Sequence, residues 1–331
     1  MKSICPSPQI WQDRQLKPLV LVNLAVNQGK GGKRWEKVAP KLKSTLPKDA
    51  EYILYQPPFL LENTLNEYIR ENGFNCIISA GGDGTVNIIL NNLMNLEGVK
   101  TEDFYLGGIG LGSSNDFLKP VETSIDSVPS RIRPEKSLLA DVGKVRFKGT
   151  DGEERTRYFI VNASLGVTAE ANSNFNRGDQ PIRFLKPRML NVAILYTAVK
   201  TILAFRNFPV TLKVERLEEG MFEEGKFCLS NLSVLKNQHV SGSFVYDQDI
   251  RKGDGWLGLN YCSEMSKWQM INVLWDLRRG RFAGKPQRFS MKVTKVGVLP
   301  EKFIALEMDG EVVNAKEIRF SLARRKINLL G

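Results

Sequence analysis

Residues 79–93 (Ser-Ala-Gly-Gly-Asp-Gly-Thr-Val-Asn-Ile-Ile-Leu-Asn-Asn-Leu) limit the fold of this chain more than any other segment. A short apolar strand runs into Gly81, Gly82 and Gly84, which surround the carboxylate of Asp83, and an amphipathic helix follows. Because glycines lack Cβ atoms, the backbone can turn sharply here and bring its N–H groups against an anion. The segment predicts a nucleotide-phosphate loop.

The side chains of this loop suggest more specific roles. Thr85 can cap the helix, whose positive end faces the same place as the loop. The carboxylate of Asp83 cannot itself attract phosphate, so we expect it either to orient a hydrated Mg²⁺ or to hydrogen-bond the phosphate-bearing loop. An ordinary strand-to-helix turn is the alternative, since Asp-Gly pairs are common in turns. The apolar strand before the loop and the apolar helix face after it favour the phosphate loop.

The first third of the chain alternates between strand and helix patterns. We predict strands at Leu19–Asn23, Tyr52–Tyr55, Cys76–Ser79 and Tyr105–Ile109, with helices starting at Arg34, Leu60 and Thr85. Such βαβ repetition predicts an α/β fold with a doubly wound parallel sheet. Ligands of these sheets collect beyond the carboxyl ends of the strands, where the glycine-rich segments 29–32, 81–84 and 107–112 are predicted to lie.

The pattern changes after Pro134 to alternating strands, which predict a mainly antiparallel β-sandwich domain. Helical patterns interrupt it at Leu190–Phe205 and Ser266–Arg278. The first is too short to span a bilayer, and either packing on the sheet or lying on a membrane surface would explain it. We therefore predict two domains: a nucleotide-binding domain at 1–137, completed by 315–331, and a β-rich domain at 138–314.

Charge and composition indicate which kinds of binding partner this protein has. The net charge of +11 predicts attraction to polyanions, but the basic residues are spread along the chain and no nucleic-acid motif accompanies them. An anionic membrane face fits better than nucleic acid. The N-terminus has no signal-peptide core, no run of 18 uncharged apolar residues occurs, and the four cysteines are widely scattered. We expect a reduced, cytoplasmic protein that visits the membrane surface.

Six motifs in order resemble the diacylglycerol kinase catalytic family and, within it, the soluble bacterial lipid kinases related to sphingosine kinases. They span nearly the whole chain. The motifs are Asn23–Asn27 with Gly29–Arg34, Gly81–Thr85, Leu111–Phe117, Ala140–Val145 with Phe159–Gly166, Gly253–Leu259, and Met308–Glu311.

This resemblance implies ATP in the cleft between the domains and transfer of its γ-phosphoryl group to a lipid hydroxyl such as that of diacylglycerol, with Mg²⁺ as the metal. It also implies that Glu311 is the general base and that Asp83 belongs to the catalytic set. The residues that it assigns to the nucleotide are Asn23, Ala25, Asn27, Gly81, Gly82, Asp83, Gly84, Thr85, Gly112, Ser113 and Asn115.

A structural Mg²⁺ is also implied by the resemblance, held by the side chain of Asp254 and the carbonyl oxygens of Leu257 and Leu259, with Asp141 joined through water. Without the family, Asp254-Gly255 would be interpreted as a plain turn, and Asp309-Gly310 as a β-hairpin turn.

The chain departs from the family pattern at several positions. Leu24 replaces the usual proline, Ser113 the usual threonine, and Ile88 the usual glutamate of the nucleotide helix. The alternatives to a lipid kinase are an enzyme like NAD kinase, whose family shares the Gly-Gly-Asp-Gly loop, and a catalytically inactive nucleotide- or lipid-binding member of the fold. His239 is the only histidine, which gives histidine-based catalysis little support.

The identity of the lipid and the oligomeric state are open. We place the acceptor lipid against the second domain, with Asn162, Ser164, Leu165 and the helix at Leu190–Phe205 as candidate contacts. An exposed sheet edge there could support a homodimer.

Overall fold

The structure is a computed structural model that describes residues 6–26, 29–56, 61–185, 189–216 and 222–331. Its two compact units are Met1–Ala140 with Arg324–Gly331, and Asp141–Ala323. The predicted Asn27 contact lies outside the described residues.

The first unit is an α/β domain built on a mainly parallel sheet. Its elements are α1 (Pro8–Asp13), β1 (Pro18–Asn23), α2 (Lys30–Thr45), β2 (Glu51–Tyr55), α3 (Leu61–Arg70), β3 (Cys76–Gly81), α4 (Asp83–Asn95), β4 (Tyr105–Gly110), β5 (Thr123–Ile125), β6 (Val128–Arg131), β7 (Leu138–Ala140) and, at the end of the chain, β19 (Ile327–Leu329). Strands β1 to β4 are parallel in the order β2-β1-β3-β4, and β19 continues the sheet parallel to β4. Strand β7 closes this edge antiparallel to β19, and a short hairpin of β5 and β6 pairs with β4.

The central strands explain why the parallel sheet could be predicted. All residues of β1 and β3 are buried, and both strands are continuous apolar runs, as expected where helices cover both faces of a sheet. The prediction of a parallel α/β domain is confirmed, although two helices begin earlier than predicted. Helix α2 begins at Lys30, directly after Gly29 in the left-handed region (φ 81°), and α4 begins at Asp83.

The second unit is mainly antiparallel β-structure. Its elements are β8 (Gly143–Lys148), β9 (Glu154–Phe159), β10 (Asn162–Gly166), α5 (Val167–Arg177), α6 (Gln180–Leu185), α7 (Leu190–Ala204), β11 (Phe208–Arg216), β12 (Phe222–Leu235), β13 (His239–Val240), β14 (Phe244–Val245), β15 (Leu257–Ser263), α8 (Lys267–Leu277), β16 (Arg288–Pro300), β17 (Ile304–Met308) and β18 (Glu311–Leu322).

Nine of these strands, within the described residues, form one sheet in the order β11-β16-β15-β12-β10-β17-β18-β8-β9. Two further pairings join strands that are not adjacent in this order. Strand β11 also pairs with β12, and β16 also pairs with β18. The sheet therefore folds over on itself around an apolar core that includes Phe147, Leu232 and Phe320. The predicted antiparallel β-rich domain is confirmed.

A helical layer accompanies this sheet. Helix α7 packs against α5, α6 and α8, and its Ile202 shares a core with Leu274 and Met270 of α8 and with Leu235 and Cys262 of the sheet. The helices α5 and α6 were not predicted. No helix in the described part of the chain is long and apolar enough to cross a membrane.

The units divide at positions different from the predicted domain boundaries. The first unit ends with β7 at Ala140 and the second begins at Asp141, three residues after the predicted boundary. Residues 315–322 continue β18 in the second unit, which ends at Ala323, so only Arg324–Gly331 return to the first. The register explains this difference, because Phe320 and Ser321 pair with Val145 and Lys144 of β8.

Candidate active site

The ends of β3 and β4 lie side by side and carry two of the predicted glycine loops. Gly81 pairs with Gly110, and the N–H groups of Leu111 and Gly112 both donate to the Gly81 carbonyl at 2.9 and 3.1 Å. A Cβ on Gly112 would lie 2.4 Å from the Cα of Gly82, so the close approach of these backbones requires glycine. The two loops form one continuous backbone surface at the start of α4.

The N-terminus of α4 opens onto this surface. Gly82 is the N-cap residue, and no side chain of the described residues caps the helix there. The prediction that Thr85 caps the helix is wrong, because α4 begins two residues before Thr85. Its hydroxyl instead accepts a hydrogen bond from Asn23 Nδ2 at 3.1 Å. An uncapped helix start next to glycine loops is an arrangement that binds anions through backbone N–H groups.

Asp83 connects α4 to the loop after β4. Its Oδ1 accepts a hydrogen bond from the Phe117 N–H at 2.9 Å, which is the second of the two roles expected for this carboxylate. Asn115 in the same loop has a left-handed backbone (φ 51°), and its Nδ2 donates to the Gly112 carbonyl at 3.2 Å. The Asn115 Oδ1 is buried and has no hydrogen-bond partner among the described residues, so it can accept from a bound ligand.

The first predicted motif reaches the same place through Asn23. Its Oδ1 accepts from the Ala25 N–H at 3.0 Å, while its Nδ2 bonds Thr85. Tyr55 joins this group through hydrogen bonds with Thr85 and Asn23, although burial dominates and raises its pKa to about 12. The structure therefore brings Asn23, Ala25 and Thr85 together and adds Tyr55, which the sequence did not single out.

Arg34 is a second residue that was not assigned to the site. From α2 it donates to the carbonyls of Leu111 and Gly112 at 3.3 and 2.8 Å, and so ties the first glycine segment to the third. Ser113 lies half-buried directly after these carbonyls, and Gly84 lies in the first turn of α4. The position of Arg34, two residues after the glycine-rich segment 29–32, carried no signal that distinguished it from the other basic residues of the chain.

A tight hairpin precedes the expected base in the second unit. Met308 pairs with Glu311, and the two residues between them, Asp309 and Gly310, have positive φ angles of 47° and 96°. A two-residue loop with this backbone favours Asp-Gly. The hairpin expected from Asp309-Gly310 alone is therefore present.

The Asp309 carboxylate anchors this hairpin. Its oxygens accept from the N–H groups of Ile160, Val161 and Asn162 at 2.9 to 3.0 Å, and its own N–H donates to the Asn162 carbonyl. The side chain is buried. Three backbone donors satisfy a buried carboxylate well, so the turn is fixed to the start of β10 and the two residues before it.

A second buried carboxylate, Glu307, lies beneath the hairpin and was missed by the sequence analysis. Its Oε2 accepts from Ser164 Oγ at 2.6 Å and from Asn162 Nδ2 at 2.9 Å, and its Oε1 accepts from the Gly310 N–H at 2.7 Å. Burial is the main cause that raises the pKa of Glu307 to about 7. An acidic residue in the middle of an apolar strand was the available signal.

The contacts of Glu307 also bear on the residues that were predicted to contact the acceptor lipid. Ser164 and Leu165 are fully buried and Asn162 nearly so. Asn162 and Ser164 support the hairpin, and Leu165 belongs to the core of the second unit. Their predicted contact with a lipid is therefore not supported by their placement.

Glu311 is the first residue of β18, directly after the hairpin. The residue is exposed at the surface, yet the surrounding protein removes enough water to raise the pKa of its carboxyl, and the nearby charge of Arg157 opposes this shift. A carboxylate with a raised pKa is a stronger base than an ordinary surface glutamate.

Comparisons with known proteins agree with the family resemblance. Residues 17–145 match the family described as diacylglycerol kinase catalytic domain. The resemblance predicted from the motifs is confirmed over these residues. The predicted enzyme class, a phosphotransferase with an alcohol acceptor, is thereby confirmed at the level of the family.

The matches to individual relatives cover more of the chain than residues 17–145. The diacylglycerol kinase of Bacillus subtilis is 27% identical over 249 residues, which cover 72% of this chain and 71% of the relative. That of Staphylococcus carnosus is 23% identical over 254 residues, covering 73% and 71%. The crystal structure of a diacylglycerol kinase from Bacillus anthracis has a TM-score of 0.63 at 16% identity, with 95% of this chain and 96% of that chain covered. The last likeness shows that both units share its fold.

The structural Mg²⁺ implied by this family does not fit the residues at its predicted position. Asp254 Oδ1 accepts from the Lys236 ammonium at 2.7 Å, and its Oδ2 accepts from the Arg251 N–H at 3.0 Å. Leu257 and Leu259 lie in β15, between β12 and β16, where carbonyls point at neighbouring strands. No cluster of three acidic, histidine or cysteine ligands occurs among the described residues.

Proposed function

We propose that this protein is an ATP-dependent lipid kinase that transfers the γ-phosphoryl group to a lipid hydroxyl such as that of diacylglycerol. The observation that carries the proposal is the shared backbone surface of Gly81, Gly82 and Gly112 beside the uncapped start of α4. The N–H groups and the helix dipole of this surface suit the phosphates of a nucleotide. The Asn115 Oδ1, which has no hydrogen-bond partner among the described residues, can accept a hydrogen bond from the same nucleotide. Mg²⁺ on the ATP phosphates would neutralise their charge.

In this proposal Glu311 is the general base. It takes the proton of the lipid hydroxyl as that oxygen forms its bond to the γ-phosphorus, while the bond from phosphorus to the bridging oxygen breaks and ADP leaves. Its raised pKa supports this role, and the hairpin before it is held by Asp309 and Glu307. Asp83 acts by holding the loop that contains Phe117.

Transfer of labelled γ-phosphate from ATP tests the function directly. The acceptors are diacylglycerol, phosphatidylglycerol, ceramide and a sphingoid base in mixed micelles, with and without Mg²⁺, and NAD in parallel. We expect a labelled lipid only when Mg²⁺ is present. Label on NAD would indicate an enzyme like NAD kinase, and ATP binding without any transfer would indicate an inactive binding protein.

We further propose that the protein reaches its lipid from the cytoplasm through a Trp face on α8. This face consists of Trp268 and Trp275, which lie seven residues apart on one side of the helix and are 77% and 45% exposed. The Arg278 guanidinium lies 5.9 Å from the Trp275 ring. The segment 264–288 contains six basic and two acidic residues. Exposed tryptophans beside arginines suit the interface of an anionic membrane.

The tryptophans themselves report on this contact. The other three, Trp11, Trp35 and Trp256, are buried, since their exposed fractions are 0, 6 and 5%. Vesicles of phosphatidylglycerol with brominated acyl chains should therefore quench the fluorescence of Trp268 and Trp275 selectively.

The matched variant replaces both tryptophans of the Trp face by alanine. We expect roughly a tenfold loss of vesicle binding, because two interfacial aromatic anchors are removed. Replacement of Phe303, another exposed aromatic residue (42%), by alanine should leave binding unchanged. Unaltered binding of the double variant to vesicles in co-sedimentation would argue against the Trp face. Kinase activity on micellar lipid is measured separately and does not depend on that outcome.

A further inference from the structure

Lys236 is a buried cation with no assigned role. It follows β12, and its side chain is only 1% exposed. The N–H groups of Lys236 and Asn237 both donate to the Val161 carbonyl at 2.8 and 2.9 Å, which fixes the backbone at this point. A lysine is almost never buried to this extent unless its charge is paired.

Oxygen atoms surround the Lys236 ammonium. It donates to Asp254 Oδ1 at 2.7 Å, to the Trp256 carbonyl at 2.9 Å and to the Arg251 carbonyl at 3.2 Å. An ammonium group has three N–H donors, so these three acceptors match them. Asp141 Oδ2 lies 3.5 Å away and completes the ionic contact.

The acceptors are themselves held in place by the turn between residues 251 and 256. Asp254 Oδ2 accepts from the Arg251 N–H at 3.0 Å, and Asp141 Oδ2 accepts from the Gly255 N–H at 2.7 Å. The Asp141 N–H donates to the Lys252 carbonyl at 2.7 Å. The turn therefore wraps around the ammonium, and Asp141 joins it to the start of the second unit.

Two carboxylates and two backbone carbonyls form the kind of oxygen shell that a hard divalent cation takes in proteins. A fixed positive charge at its centre repels such a cation, and the carboxylate that would bind it is already paired. We propose that the Lys236 ammonium takes the structural place of a metal ion in this chain, so that the turn at residues 251–256 is held by an internal cation and needs no metal. This inference does not depend on the proposed function.

The wild-type protein provides the first test. After dialysis against EDTA, we expect elemental analysis to find less than about 0.1 equivalent of Mg²⁺ or Ca²⁺ bound. The melting temperature should change by less than about 1 °C between EDTA and about 5 mM of either ion, because no site on the folded chain gains binding energy. A stoichiometric ion that resists dialysis, or a clear rise in melting temperature with metal, would overturn the proposal.

The second test removes the cation but keeps the length of its side chain. Lys236→Met leaves Asp254 and Asp141 buried without their counter-charge, and we expect the melting temperature to fall by on the order of 10 °C. Lys148→Met is the control, since Lys148 is 47% exposed and its pair with Glu317 spans 3.7 Å; it should shift the melting temperature by less than about 2 °C.

Equal small shifts for both variants would contradict the structural role of Lys236. If the Lys236→Met protein does not fold while the control does, that failure to fold is the large loss of stability that we expect. The metal measurements on the wild type then decide whether the ammonium acts alone.

Discussion

Replacing Glu311 by glutamine should lower kcat for lipid phosphorylation by roughly 10²–10⁴-fold, which is the usual contribution of a general base. The amide has nearly the same shape as the carboxylate but cannot accept the proton of the lipid hydroxyl. Because Glu311 belongs to the second unit and the glycine loops belong to the first, ATP affinity should stay within about twofold. Single-turnover transfer and equilibrium binding of ATP measure the two effects separately.

Glu317→Gln is the matched control for this variant, because Glu317 lies on the same strand and is 52% exposed. It should retain wild-type turnover. A Glu311→Gln protein that loses ATP binding and turnover together would indicate a structural role for Glu311 instead of a catalytic one.

The pH profile gives a further expectation for Glu311. Desolvation raises its pKa, so its basic form disappears at a higher pH than for an ordinary glutamate. The wild-type rate should therefore fall as the pH is lowered through this raised pKa.

The second large effect concerns Glu307 and the pH dependence of stability. Burial raises the pKa of Glu307 from its ordinary value of 4.5 to about 7, so the folded state binds the proton more tightly than the unfolded state. The free energy of unfolding contributed by this group therefore falls as the pH rises from about 4.5 to about 7, and the loss persists above pH 7. A difference of roughly two to three pH units corresponds to about 3 kcal/mol.

Glu307→Gln removes this ionisation and preserves most of the contacts. The amide oxygen can accept from the Gly310 N–H, and the amide nitrogen can donate to the hydroxyl of Ser164. We expect the variant and the wild type to have similar stability at about pH 5, and the variant to be more stable by up to about 3 kcal/mol at about pH 8. Urea unfolding at both pH values measures this difference.

Glu317→Gln serves as the control here as well, because the carboxyl that it removes is exposed. Its stability difference from the wild type should change little between the two pH values. Parallel profiles for the wild type and Glu307→Gln would show that Glu307 titrates as an ordinary glutamate and that the explanation by burial is wrong.

The sequence determined the architecture of both units and the positions of the glycine loops. Buried parallel strands are continuous apolar runs, so β1 and β3 could be located within about one or two residues. Glycines that permit close backbone contact can be read directly from the sequence, so Gly81, Gly82 and Gly112 could be identified without their geometry. The hairpin of Asp309 and Gly310 was similarly evident, since its backbone strongly favours that pair.

Only the tertiary structure decided which polar side chains meet. Arg34 donates to carbonyls that follow it by 77 and 78 residues in the chain, and Glu307 accepts hydrogen bonds from Asn162 and Ser164 of β10. No local sequence pattern indicates contacts between residues so far apart in the chain. The same reason applies to Lys236, whose ammonium pairs with the Asp254 carboxylate, to which the family resemblance assigned a metal ion. Local periodicity reports which face of a strand or helix is buried, whereas the pairing of buried charges depends on how distant segments pack.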